Sequence, residues 1–369
     1  MKVRGSLVVA SLLAGTTLSA DSANIADALK NSKVNGELYL YGKQAKVTDR
    51  DDTGFGSGSF NIDFKTDSLY DFTLSAGSRA NHAFWEVDGS EYTQEQKAIL
   101  HTANVAYSHP HLDVVFGRQE INLEWASDYH EALVAALKGL PNTTIVVGYT
   151  QRRAIADGDE KLYPFSKIGD KGAFVVDVKF DGVTNLVLNP YIYYADDVAA
   201  WAGLKGSYDY DFGTFKVGGT LQYAQSDEDS GNDGSFLQAE ARGSFTGVDA
   251  FLGLLVTDKD GGVGSIKAAG ENVNPFEKGC QIFLPDARTI YLGAQYKWDK
   301  FELKGIFGNT NHIAGKTREL DLKVSYDLTN NLNVYGLFIN GSGDDGEEKP
   351  ASINGENFNI LGLGATYSF

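Results

Sequence analysis

Apolar and polar residues alternate with a period of two along most of the chain. The clearest case is 357–369 (NFNILGLGATYSF), where Leu361, Leu363, Ala365, Tyr367 and Phe369 are separated by Gly362, Gly364, Thr366 and Ser368. Such a period marks a β-strand with one apolar and one polar face. A strand that closes on an aromatic residue suits an outer-membrane barrel, whose outward face meets lipid and whose last ring sits in the interfacial girdle.

The alternation predicts strands at 34–47, 59–67, 70–80, 99–108, 111–120, 132–140, 143–153, 172–180, 185–194, 199–208, 214–225, 235–245, 248–257, 288–298, 300–309, 316–327, 331–340 and 357–369. That is an all-β, transmembrane antiparallel β-barrel of about 18 strands, an even number as in bacterial single-chain barrels. Most segments are near the 9–11 residues a tilted membrane-crossing strand needs. The connections alternate between short turns rich in Asn, Asp, Gly or Pro and long acidic, glycine-rich inserts at 48–58, 81–98, 157–171, 226–234, 258–287 and 341–356. Short periplasmic turns and long extracellular loops produce that alternation. A β-sandwich has no reason to place every long loop at one end.

Charge falls on the face opposite the apolar set. Phe174, Val176, Val178 and Phe180 oppose Asp177 and Lys179; Phe215, Val217, Leu221 and Tyr223 oppose Lys216; Leu237, Ala239, Ala241 and Phe245 oppose Glu240 and Arg242. Leu303 and Phe307 likewise oppose Glu302 and Lys304, and Leu320, Leu322 and Val324 oppose Asp321 and Lys323. A water-filled lumen accepts such charges and a protein core does not. The same parity turns Arg79, Arg152 and Lys205 inward. Leu112, Val114 and Phe116 put Arg118 on the lipid side, where a charge costs about 2–4 kcal/mol at mid-depth. A bulge at Gly117 is therefore expected to rotate Arg118 into the pore; the alternative is an Arg118 already at the interface.

Plain alternation lapses after Arg118. The stretch 118–135 (RQEINLEWASDYHEALVA) holds Glu120, Glu124, Asp128 and Glu131. An inward-folded loop near 121–131 would set these acids against Arg79, Arg118 and Arg152 across the pore, creating a transverse field that constricts and discriminates. The alternative is a loop that only fills volume.

The amino-terminus reads as an export signal: Lys2 and Arg4, an apolar core at 7–13, and Leu18-Ser19-Ala20 before a cleavage expected after residue 20. Residues 21–33 read as a periplasmic leader with a short amphipathic helix, and 34–369 as the barrel. The full chain carries a net charge of −17, which disfavours nucleic acid as a partner and predicts a cation-preferring pore. The single Cys280 forms no internal disulfide. No G-x-S-x-G motif accompanies the six histidines, so an outer-membrane hydrolase is a weak rival. A structural or adhesive surface barrel is another.

The run GRQEI at 117–121, DYHEA at 128–132, PNTTIVVGYTQR at 141–152, ADALKNSKVNGELYLYG at 26–42 and the terminal GLGATYSF together resemble the Opr-family porins of Campylobacterota. These are similar to the Campylobacter major outer membrane protein and more distantly to OprD-type channels. The resemblance implies an 18-stranded homotrimeric porin in lipopolysaccharide-bearing outer membrane, with passive diffusion of ions and small hydrophilic solutes. It also implies a ladder of lumenal arginines, for which Arg79, Arg118, Arg152 and Arg242 are the available rungs. A lumenal Ca2+ on Glu120, Glu124 and Asp128 is a further implication; no other cofactor is expected.

Overall fold

The computed structural model describes residues 21–48, 51–87, 96–279, 281–345 and 357–369. The expected export signal, Cys280 and most of the 341–356 insert lie outside them. The strands are β1 (Lys33–Val47), β2 (Thr53–Lys65), β3 (Phe72–Glu86), β4 (Ala98–His109), β5 (Leu112–Leu123), β6 (Ala126–Leu140), β7 (Thr143–Ile155), β8 (Tyr163–Lys167), β9 (Ala173–Val183) and β10 (Leu186–Ala195). They continue as β11 (Ala199–Asp211), β12 (Phe215–Glu228), β13 (Gly234–Phe245), β14 (Val248–Thr257), β15 (Arg288–Trp298), β16 (Phe301–His312), β17 (Gly315–Asp327), β18 (Leu332–Asp345) and β19 (Phe358–Ser368). Sequence neighbours pair antiparallel, and β19 returns to β1 from Glu37–Ser368 to Val47–Phe358, closing the sheet. β8 stands outside this wall: it pairs with the end of β7, while β7 pairs with β9 below it. Eighteen strands therefore form the wall, as the alternation predicts.

Closure leaves the membrane-crossing part of the wall without a free sheet edge, so its backbone groups are satisfied without water. The apolar set points out: Leu363 is 63% exposed, Leu221 61% and Phe116 65%. These residues have lipid rather than a protein core to meet. The leader helix α1 (Ile25–Lys30) is N-capped by Asn24, whose Oδ1 accepts from the Asp27 N–H at 3.0 Å. It docks on the β2–β3 turn, where Ser22 Oγ donates to Asp67 at 2.8 Å and the Asp67 N–H donates to Ala28 O.

The interior departs from a uniformly wet bore. The β4–β5 ladder ends at Ala103–Arg118, whereas β5–β6 continues to Leu123–Ala126 and β6–β7 stops at Tyr129–Ala154. The tip of the β5–β6 hairpin thus leaves the wall and enters the lumen. The expected loop near 121–131 is this extended hairpin, turned by Glu124 and Trp125 alone. Its ladder gives the polar backbone internal partners, which a loose loop would have to find elsewhere.

A second segment fills the same sector. Residues 258–287, between β14 and β15, carry a 3-10 turn (Ile266–Ala269) and bury Val263, Ile266, Val273, Phe276 and Ile282. They pack with Ile121, Leu123 and Trp125 of the hairpin against inward Tyr191, Tyr193, Trp201, Phe236, Leu255, Tyr291 and Ile306. The Asn272 N–H donates to Glu124 O at 2.9 Å and its Nδ2 to Leu123 O at 2.6 Å, joining the two inserts. One side of the barrel therefore holds an apolar core.

Gly117 is where the hairpin departs. Its φ is +119°, and a Cβ there would sit 2.2 Å from Ala103 O. The register with β4 and β6 runs unbroken through it, so the expected bulge is absent and a glycine-only kink stands in its place. Gly117→Val is expected to destabilise the barrel by about 1–3 kcal/mol, read as a lower melting temperature of its heat-modifiable form.

Candidate pore

The sector left open lies between β1–β3, β17–β19 and the two inserts. It is a cavity of about 1070 Å³, into which the connection between β7 and β8 also folds. Its lining includes seven acids (Glu37, Asp128, Asp157, Asp159, Glu160, Glu271, Glu277) and seven bases (Lys43, Arg79, Arg153, Lys161, Lys267, Lys278, Lys323). Several are fixed by near neighbours. Arg79 donates from Nη2 to Glu37 and from Nη1 to Ser59 Oγ, both at 2.8 Å. Arg153 holds Asp128 at 2.5 Å. Fixed charges lining a polar cavity of this size can set the selectivity of a permeation path.

Of the residues expected at the constriction, Arg79 and Asp128 reach this cavity. Glu124 instead forms the buried anchor of the hairpin: it is 1% exposed and accepts from Lys205 Nζ at 2.9 Å on each oxygen. Glu120 lies opposite Tyr129 in the ladder, and the Tyr129 ring packs on His101 at 4.3 Å, so that face turns to the β4 wall. Arg118, Glu131 and Arg152 sit side by side across β5, β6 and β7 at the seam where the hairpin peels away. There Arg118 donates to Glu131 Oε1 from Nε (3.0 Å) and Nη2 (2.9 Å), and to Leu100 O, whose strand loses β5 as its partner at that height. Its guanidinium also stacks over Phe165 at 4.4 Å. Arg118 is thus half-buried and engaged through all three guanidinium nitrogens, and it closes the seam rather than narrowing the pore.

The bulge that matters lies on β7. Glu131 pairs with Arg152 but Ala132 pairs with Thr150, leaving Gln151 as an extra residue. That one-residue slip puts Arg152 beside Glu131 (3.7 Å) and delivers Arg153 to the cavity. Among the expected wall charges, Lys323 reaches the cavity. The others are held locally: Lys179 by Asp181 at 3.4 Å, Lys216 by Asp211 at 3.1 Å, and Arg242 by Asp209 at 2.9 Å. Glu240 accepts from the Tyr291 hydroxyl at 2.8 Å, Lys304 holds Glu302 at 2.8 Å, and Asp321 lies under the 258–287 insert, accepting the Glu277 N–H at 2.9 Å. Arg79, Arg118, Arg152 and Arg242 therefore form no continuous ladder.

The three acids suggested for calcium do not fit such an ion. Glu124 and Asp128 are each committed to a base, and Glu120 faces the β4 wall. Among the described residues no group of three His, Cys, Asp or Glu side chains is placed to hold a metal.

Among the described residues outside the membrane-crossing strands, Glu160 is the acid whose ionisation is most displaced. Burial, with Asp157 and Asp159 nearby, pushes its carboxyl up to about 8, against the pull of Lys278.

Comparison with known proteins follows this geometry. A family model described as "Putative outer membrane protein" matches residues 53–220, from β2 into β12. No curated protein matches the sequence. Among solved structures, Acinetobacter baumannii OccAB4 superposes with a TM-score of 0.77 at 10% identity, covering 92% of this chain and 98% of that one. Pseudomonas aeruginosa OccK3 (OpdO) gives 0.77 at 13% identity, with coverages of 93% and 97%. Pseudomonas aeruginosa OpdK, solved with vanillate, gives 0.75 at 14%, with 92% and 99%. The protein has the closed 18-stranded β-barrel architecture of these structures, and the family model it matches describes an outer-membrane protein.

Proposed function

We propose that this barrel is a passive diffusion channel for ions and small hydrophilic solutes, related to the Campylobacterota porins. The single observation that carries this reading is the charged cavity between wall and inserts, too polar for a core and too large to be a packing void. Its scale suits solutes about as large as the vanillate found in the OpdK structure. No covalent chemistry is asked of it. Selectivity would come from the cavity's width and fixed charge.

Because Glu160 is mainly neutral near pH 7, six charged acids face seven bases in the lining there, and we infer only a weak cation preference, contributed by the acidic surplus outside the cavity. The Glu160 carboxyl is mainly neutral below pH 8 and gains its charge as pH rises through that value. Cation preference should therefore strengthen between about pH 7 and pH 9, with a midpoint set by Glu160. Reversal potentials in a salt gradient across that range test the reading. Glu160→Gln should flatten the pH response, and a clear anion preference at pH 9 would reject the assignment.

Export through a cleaved signal and assembly as a homotrimer among lipopolysaccharide complete the proposal. The outer surface of β11–β13 offers small residues (Gly206, Gly219, Ala239, Ala241) along an apolar groove where a second barrel could approach closely. Crosslinking in native membranes would distinguish trimer from monomer.

A further inference from the structure

One wall of the cavity is aromatic. Tyr39 and Tyr41 of β1 and Tyr335 of β18 turn inward on either side of β19. Tyr39 and Tyr41 are stacked with centroids 6.2 Å apart at 24°, and Tyr41 and Tyr335 at 6.4 Å and 30°. Phe55 adjoins Tyr41 at 5.8 Å.

The strand between them explains how the rings lie. Tyr41, Gly364 and Tyr335 are in register across β1, β19 and β18. A Cβ on Gly364 would fall 2.3 Å from the Tyr335 ring, and one on Gly362 would fall 2.8 Å from the Tyr41 hydroxyl. Two glycines thus let the rings rest on bare backbone, with Tyr41 stacked on both neighbours and Tyr39 and Tyr335 tilted by 36° to each other. The Tyr39 and Tyr335 hydroxyls are hydrogen-bonded to each other, which ties the platform together. A donor and an acceptor flank it: the Lys323 ammonium lies 4.3 Å from the Tyr335 ring centre, and Asp159 from the opposite connection lies within electrostatic reach of Tyr39 and Tyr335.

From this arrangement we propose that the aromatic wall is a binding subsite for pyranose sugars passing through the cavity. The apolar C–H face of a sugar ring matches the half-buried Tyr39 and Tyr335 rings, which the buried Tyr41 and Phe55 back, and its equatorial hydroxyls can pair with an ammonium and a carboxylate at the margin. Charged solutes fit less well. Arg79, the nearest guanidinium, is already held by Glu37, and Asp159 opposes a carboxylate. The Lys323 and Lys43 ammonium groups, beside Tyr335 and Phe55, repel a cationic solute. The subsite deepens the channel reading and rests on it, since solute must reach the cavity.

Two measurements on the full-length barrel separate the proposals. Ion-current recording in planar bilayers, with maltotriose or benzoate added to one side, should show concentration-dependent block by maltotriose. Intrinsic fluorescence of the detergent-solubilised barrel titrated with maltotriose should report the same affinity without conduction. Tyr335→Ala should weaken both by about tenfold, equivalent to about 1.4 kcal/mol, while Tyr335→Phe, which keeps the ring, should bind nearly as the parent does. Conduction without sugar binding, binding indifferent to Tyr335→Ala, or block by benzoate alone would overturn the subsite. Sugar binding by a barrel that does not conduct would overturn the channel reading and leave the subsite standing.

Discussion

Excising residues 259–286 and rejoining β14 to β15 by a short turn is expected to raise single-channel conductance several-fold. The wall does not depend on this insert, because the β14–β15 ladder runs on its own from Val248–Tyr296 to Val256–Arg288. The insert occupies the lumen with Val263, Ile266, Val273, Phe276 and Ile282. A bare barrel of this strand number encloses an aqueous channel, so removing the plug should widen the conducting cross-section. The excision also strips Lys267, Glu271, Glu277 and Lys278 from the lining, two of each sign, and so should change conductance far more than selectivity. Planar-bilayer recording decides it. Conductance within experimental scatter of the parent would place the insert outside the conduction path.

Glu124→Ala should undock the hairpin. The carboxylate is buried and accepts both of its Lys205 contacts at 2.9 Å. Removing one partner of a buried ion pair costs about 3–5 kcal/mol, because the remaining charge is left uncompensated. The nearby acid Asp177 offers Lys205 little relief, since it is held by Asn189 at 2.7 Å and the Tyr193 hydroxyl at 3.1 Å. The loss should fall on the tip: Trp125, fully buried against Phe236 at 5.2 Å and donating to the Tyr191 hydroxyl at 2.8 Å, should become exposed. Quenching of Trp125 fluorescence and faster amide exchange at 119–130 would show it. Pairing Glu124→Leu with Lys205→Met should recover most of the loss, since an apolar pair of similar size removes both charges. An unaltered hairpin in Glu124→Ala would mean that the apolar contacts suffice without the ion pair.

The wall was legible in the sequence because lipid outside and water inside impose a strict period of two. Leu361 and Leu363 of β19, or Phe174 and Val176 of β9, declare their facing by composition alone. The period lapses where a strand leaves the bilayer, so the upper end of β2, rich in Gly54, Gly56 and Gly58, read as loop, and so did Ser127–Glu131 at the start of β6. These segments are strands because of the ladders they join, not because of a face they show.

The site was less legible for two reasons. A single extra residue, Gln151, exchanges Arg152 for Arg153 at the cavity and leaves no mark on local hydrophobicity. The 258–287 insert carries its own signal: Val263, Ile266, Val273, Phe276, Ile282 and Phe283 are too many large apolar residues for a loop in water, and they pack inward. Tyr39, Tyr41 and Tyr335 share the inward parity of the charged residues, yet aromatic residues in a barrel strand suggest the interfacial girdle first.

Single-channel recording from the purified, refolded barrel in a planar lipid bilayer tests the central claim most directly. Discrete, ohmic current steps that scale with salt concentration are the expected result. A correctly folded barrel that inserts into the bilayer and passes no current would contradict it.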